Sequence, residues 1–212
     1  MRWPTFDELV KLVSLPEGYR VGRFDRAHVL SLTASIKIWH PDISVGANSC
    51  YLREDFYLSR VCLNGESEKD ILVVSIKFND ELVGMWSAER EVDSLALYGR
   101  LIILAPEHRG AKVSVMVMAG FEHVGRAMGA AFVYGMVTLK HPFLQQAAER
   151  AGYRLLGFMP GYDREVVAPG VVKRVYQAVY AKLLVPEDEV LRPNPKNLTP
   201  RAKALFELLF SN

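Results

Sequence analysis

One stretch, Leu101–Met118 (LIILAPEHRGAKVSVMVM), constrains this chain more than any other. Four consecutive apolar residues, Leu101 to Leu104, read as a strand covered on both faces. Ala105-Pro106 stops it, Glu107-His108-Arg109-Gly110 forms a short charged turn, and apolar residues at helical spacing follow. A buried strand that feeds a Gly-containing turn and then a helix aims unpaired backbone N–H groups at one point. Such a point binds phosphate, so the expected ligand is the pyrophosphate of a nucleotide-like cofactor.

The rest of the composition narrows the partners. With 212 residues, half of them hydrophobic, the chain can bury a sizeable core. A formal net charge of +2 without any Lys/Arg stripe disfavours nucleic acid and membrane surfaces. No apolar run approaches the roughly 20 residues that span a bilayer, and the first residues lack the apolar core of a signal peptide. Cys50 and Cys62 form neither a disulfide framework nor a CxxC site, which fits reduced thiols in a cytoplasmic protein. The histidines His28, His40, His108, His123 and His141 are scattered, so no metal site is expected.

Taken in order, Thr5 to Glu8 has capping-box spacing and opens a short helix that Pro16 and Gly18 end. Tyr19 to Phe24 reads as a strand. Asp25 caps a helix to about Trp39, and Leu52, Phe56 and Leu63 set the spacing of a second one. Ile71–Phe78 and Glu81–Ala88 form a hairpin through Asn79-Asp80. Leu95–Leu104 is the next strand, and the helix after Gly110 carries Gly120, small enough to let it approach the sheet. Ala131–Lys140 is a strand, and His141-Pro142 opens a helix that Gly152 ends. Tyr153–Phe158 and Val171–Leu184 are the last strands, divided by a turn at Met159-Pro160-Gly161. From Val185 the chain is a Pro-containing linker, then a helix from Thr199-Pro200 whose Leu205, Phe206, Leu208, Leu209 and Phe210 must cover something, in this domain or in a second subunit of a homodimer.

With this order and the residues Pro106-Glu107-His108-Arg109-Gly110, the chain resembles the GCN5-related N-acetyltransferase (GNAT) superfamily over roughly Tyr19–Leu184. The resemblance implies an α/β (α+β) fold: a mixed, mostly antiparallel sheet with a splayed fourth and fifth strand pair and helices on both faces. It divides the chain into an N-terminal helical extension (1–18), an acyl-CoA N-acyltransferase domain (19–184) and a linker with the C-terminal helix (185–212). The family's phosphate pattern, Arg or Gln, two residues, Gly, one residue, then Gly or Ala, begins here at Arg109. Lys112 and Ser114 stand where the family has small residues, adding a charge and a hydroxyl donor to the backbone amides. A second match runs from His141 to Tyr153, with His141 at the family's Asn, Ala148 at its acid Tyr and Gly152-Tyr153 for Gly-Phe. Thr138 to Gln145 resembles a variant of some branches.

The resemblance implies transfer of an acetyl group from acetyl-CoA to a small-molecule or peptide amine by direct attack on the thioester, with no metal. It assigns cofactor binding to Ile102, Ile103, Leu104, Arg109, Gly110, Ala111, Lys112, Val113, Ser114 and Gln145. Such a reaction needs a neutral amine and a proton route. Glu91, with Glu89 or Asp93 beside it, is the candidate base; Tyr98 orients the acceptor or acts as acid; His141 is a candidate proton shuttle. Trp39, His40 and Tyr51 flank the loop through which the superfamily admits its acceptor. Two alternatives stay open: a non-catalytic coenzyme A sensor or assembly domain, favoured by Lys112, Ser114 and Ala148, and a transferase with a longer acyl donor.

Overall fold

The computed structural model describes residues 1–110 and 112–210. Helices α1 (Phe6–Leu12), α2 (Val29–Trp39), α3 (Glu54–Arg60), α4 (Val113–Met128), α5 (Phe143–Arg150) and α6 (Pro200–Phe210) alternate with strands β1 (Tyr19–Gly22), β2 (Val61–Cys62), β3 (Ile71–Phe78), β4 (Glu81–Glu91), β5 (Ala96–Leu104), β6 (Phe132–Thr138), β7 (Arg154–Ala168) and β8 (Val171–Leu183). The sheet order is β1-β3-β4-β5-β6-β8-β7, with β2 beside β3. Pairing is antiparallel except for β2 with β3 and β5 with β6.

Local chemistry accounts for much of this. Thr5 and Glu8 close a reciprocal capping box on α1. Asn79 and Asp80 both adopt positive φ (47° and 73°), as a two-residue hairpin turn requires. Gly129 ends α4 in the left-handed conformation at φ 75°, with the Ala130 N–H returning to the Gly125 carbonyl.

Strand alternation sends side chains to two cores. Trp86, Ala88, Leu97 and Leu104 pack against α1, α4 and α5. Met85, Ile103, Val73 and Ile71 pack against α2, α3 and Tyr51.

Several expectations are corrected. The segment expected to be one helix to Leu63 is a 3-10 turn (Ala47–Leu52), then α3, then β2. Gly120 faces α1: a Cβ there would lie 3.2 Å from Val13, so its small size serves a helix–helix contact. Met159-Pro160-Gly161 does not end β7. The strand slips register between Met159 and Asp163 and continues to Ala168, with Gly170 (φ 72°) in the hairpin turn. Pro160 is tolerated because β7 is an edge strand and the slip leaves it outside the ladder. Leu101 and Ile102, expected to be covered on both faces, are only half-buried, whereas Ile103 and Leu104 are buried. The apolar residues of α6 remain partly open: Leu208 is 79% exposed, and Arg154 donates to the Leu209 carbonyl and lies over Phe210.

Gly84 sits where β4 and β5 approach most closely. A Cβ there would fall 2.5 Å from the Ile103 carbonyl oxygen. Gly84→Ala is therefore expected to lower stability by about 1–3 kcal/mol, read as a fall in melting temperature.

Candidate functional site

The site begins where a strand pair comes apart. β5 and β6 pair from Ala96↔Phe132 to Gly99↔Gly135 and no further. β5 then follows β4 and β6 follows β8, so the edge of Arg100–Leu104 that faces β6 has no strand partner. Two glycines form the vertex, where a Cβ on Gly135 would lie 3.1 Å from the Gly99 carbonyl oxygen. On the α4–α5 side a narrow cavity of about 30 Å³ opens between the strands, lined by Ile102, Met118, Phe121, Leu144, Tyr153 and Tyr180 among others.

The end of β5 leads into the Pro106–Gly110 turn. His108 Nδ1 meets the Tyr19 hydroxyl at 2.8 Å, pinning the turn to β1. Gly110 has φ 89° and Lys112, at the N-cap of α4, has φ 61°. Lys112 thus keeps a left-handed conformation that glycine usually supplies. Among the described residues no side chain caps α4, so the N–H groups of Val113 and Ser114 lie at the positive end of the helix dipole without a side-chain acceptor. Val113 is buried, and Ser114 beside it in the first turn is half-buried. Ala111 lies outside the described residues.

Arg109 points elsewhere. Its guanidinium donates to the carbonyls of Trp39 (2.6 Å) and Leu104 (3.3 Å) and meets His40 Nε2 at 3.1 Å. It therefore ties the end of β5 to the end of α2, while its backbone N–H donates to the Pro106 carbonyl at 3.3 Å. Burial, reinforced by the Arg109 charge, pushes the His40 pKa down, so His40 is neutral and accepts from Arg109.

On the opposite face, β5 carries a bulge: Ser87 pairs with Leu101 and Ala88 with Gly99, leaving Arg100 as the extra residue. Arg100 donates to the Tyr51 hydroxyl at 3.0 Å and pairs with Glu89. Tyr51, fully buried, donates a hydrogen bond to Ser87 Oγ at 2.7 Å, and Ser87 donates to the Leu72 carbonyl at 2.9 Å. Burial pushes the Tyr51 pKa up to about 12, so it is a neutral donor.

The structure brings Tyr98 and Glu91 into one neighbourhood. Tyr98 stacks on Tyr134 at 4.9 Å and meets the Tyr162 hydroxyl at 3.1 Å. Tyr134 donates to Glu91 at 2.6 Å. Burial, then the Tyr162 contact, push the Tyr98 pKa up. Glu89 is committed to Arg100 and to Arg60 at 3.7 Å, and Asp93 is exposed. His141 is not part of this group. It begins the α5 side of the splay, its ring beside Phe143 and its carbonyl accepting from Gln145, which also donates to the Thr138 carbonyl. Ala148 is fully buried, so no side chain with an acidic proton occupies that position.

Residues that the sequence did not single out lie on the α2 side of the splay or beside it: Arg100, Ser87, Tyr134, Tyr162, Asp163, Glu165 and Lys140. Lys140 bonds Asp42 at 2.6 Å, bridging the loop after β6 to the loop after α2. Beside it lies an open groove of about 610 Å³, lined by Thr138, Lys140, Glu165, Arg174 and Tyr176 with aliphatic neighbours. Burial pushes the Glu165 pKa up, only partly countered by Lys140. Among the described residues no group of three His, Cys, Asp or Glu is placed to hold a metal, and no helix is long and apolar enough to cross a membrane.

No protein-family profile and no curated protein matches the sequence. Solved structures do match by shape. A spermidine N-acetyltransferase (SpeG) of Vibrio cholerae superposes with a TM-score of 0.61 at 11% identity, over 79% of this chain and 94% of that one. The ribosomal-protein α-N-acetyltransferase RimL, in complex with coenzyme A, gives 0.62 at 15% over 81% and 97%. The microcin self-immunity acetyltransferase MccE, in complex with acetyl-CoA and AMP, gives 0.59 at 14% over 79% and 93%. The chain has the fold of the GCN5-related N-acetyltransferases.

His40 yields a pH prediction. Its pKa is lowered in the folded state from an ordinary value of about 6.5, so below that pH the unfolded chain takes up a proton that the folded chain refuses. Stability should therefore fall as pH drops through 6.5, and His40→Gln should flatten that part of the melting-temperature profile relative to wild type. Parallel profiles would contradict the assignment.

Proposed function

We propose that this chain is an N-acetyltransferase that moves an acetyl group from acetyl-CoA to a primary amine by direct attack on the thioester. The observation that carries the reading is the loss of β5–β6 pairing beyond Gly99↔Gly135, immediately upstream of an uncapped helix N-terminus. An extended amide chain fits along Arg100–Leu104 as a strand would, because the backbone groups there need partners. The pyrophosphate then falls at the N–H groups of Val113 and Ser114, with the Lys112 ammonium and the Ser114 hydroxyl beside them. Ile102 and Ile103 contribute backbone; the Leu104 carbonyl already accepts from Arg109.

The chemistry follows from what each side chain is free to do. The amine attacks the thioester carbon, the C–S bond breaks, and the amine proton leaves to a base as the thiolate takes one up. Glu91 is the base in this reading, reached through Tyr134 or water, since Glu89 is held by two arginines. Tyr98, kept protonated by burial, orients the acceptor through its hydroxyl, and the departing thiolate, a far weaker base than the Tyr98 phenolate, takes its proton from water. Tyr162, also a phenol, meets the Tyr98 hydroxyl and fixes its direction. His141, away from this pair, orders the start of α5. The acceptor enters between the loop after α2 and the β7–β8 hairpin, and the groove at Glu165 and Arg174 accommodates its remainder. The neighbours act on spermidine and on a ribosomal protein, so both small amines and protein N-termini are acceptors to try.

A second reading, a coenzyme A sensor, is favoured by the buried Ala148. Free-thiol release from acetyl-CoA separates the two. Release that depends on the amine is expected across a panel of spermidine, an aminoglycoside and a peptide with a free N-terminus. Calorimetric binding of acetyl-CoA without any amine-dependent release would establish the sensor instead, and absence of binding would end both readings.

A further inference from the structure

The register slip of β7 turns two adjacent side chains toward the acceptor side of the splay. Tyr162 reaches Tyr98. Asp163 turns inward, only 8% exposed, and its Oδ1 accepts the N–H of Ala47 at 2.7 Å and that of Arg164 at 2.7 Å. The chain is shaped to receive it. Gly46 has φ 85°, and a Cβ there would fall 2.2 Å from Asp163 Oδ1 and 2.4 Å from the Arg164 carbonyl oxygen. From Gly46 the 3-10 turn Ala47–Leu52 delivers Tyr51, which holds Arg100 at the β5 bulge. One carboxylate, separated from Ala47 by 116 residues, thus joins the two segments that flank the splay.

We propose that Asp163 is a positioning residue that locks the Ala47–Leu52 turn against β7, so that Tyr51 with Arg100 on one side and Tyr162 with Tyr98 on the other frame the acceptor. The inference rests on reading the splay as the acetyl-transfer site. Two amides that lose a buried carboxylate partner are left unsatisfied, and the turn they anchor is released. The Lys140–Asp42 pair spans the same gap, but both of its side chains are more than a third exposed, so solvent screens it and it cannot replace the buried tie. Asp163 lies on the acceptor side of the sheet and the cofactor loop lies at the start of α4, so loss of the tie should separate acceptor binding from cofactor binding.

The test uses the full chain, acetyl-CoA, and whichever of spermidine, an aminoglycoside or a free-N-terminal peptide wild type acetylates fastest. Asp163→Ala is expected to raise the KM for that amine about tenfold or more, as misplacement of a positioned group does. The calorimetric Kd for acetyl-CoA should stay unchanged, and amide exchange at Ala47 should speed up. Asp163→Asn keeps an oxygen acceptor and should restore most of the loss in both readouts. Gly46→Ala breaks the contact from the other side and should be no worse when combined with Asp163→Ala. Should Asp163→Ala fail to fold, Asp163→Glu displaces the same oxygen by one methylene and gives the same test. Unchanged amine KM with unchanged Ala47 exchange would overturn the proposal, as would an Asn variant as impaired as the Ala variant. Wild type that binds acetyl-CoA but acetylates none of these amines would instead refute the acetyl-transfer reading, and the positioning role with it.

Discussion

The whole arrangement depends on backbone hydrogen bonds that a sheet fails to make. Unpaired peptide groups inside a protein are costly, so a central strand pair that stops pairing midway requires something to hold it apart. Here Gly99 and Gly135 let the two backbones come close at the vertex, and beyond it each strand keeps its other neighbour. The Arg100 bulge adds a residue to β5 at the same point and turns a guanidinium to the α2 side, where Glu89 and Tyr51 fix it. The open edge is thus enforced by packing and ion pairing around it, and it is ready to accept another extended chain.

The two faces of the splay have different characters, which suits a bisubstrate reaction. The α4–α5 face is apolar, with Met118, Phe121 and Leu144 at the cavity, and ends at the start of α4. The α2 face carries phenols, carboxylates and arginines that satisfy one another: Tyr134 with Glu91, Tyr98 with Tyr162, Arg100 with Glu89. Most of these tyrosines are held neutral by burial. Such a surface supplies hydrogen-bond donors at low charge.

Features set by neighbours in sequence were readable: the capping box at Thr5 and Glu8, the Asn79-Asp80 turn, and the strand, turn and helix around Gly110. The site was readable only where it lies on those elements. Glu91 and Tyr98 share a neighbourhood because β4 pairs with β5 and Tyr134 of β6 touches both of them. Arg109 was assigned from its motif position, yet its side chain goes to Trp39 and His40, about 70 residues earlier, because the end of α2 offers free carbonyls there. The β7 slip, the Asp163 contact and the Arg100 bulge depend on pairing register, which no local pattern encodes; the Pro160-Gly161 pair looks like a turn and acts as an interruption in an edge strand.

The most direct test of the account is hydrogen exchange with and without coenzyme A, read at single-amide resolution. The account predicts new protection in Arg100–Leu104 and in the first turn of α4 at Val113 and Ser114, with β1 and β3 unchanged. Binding of coenzyme A without protection of the β5 edge would contradict it.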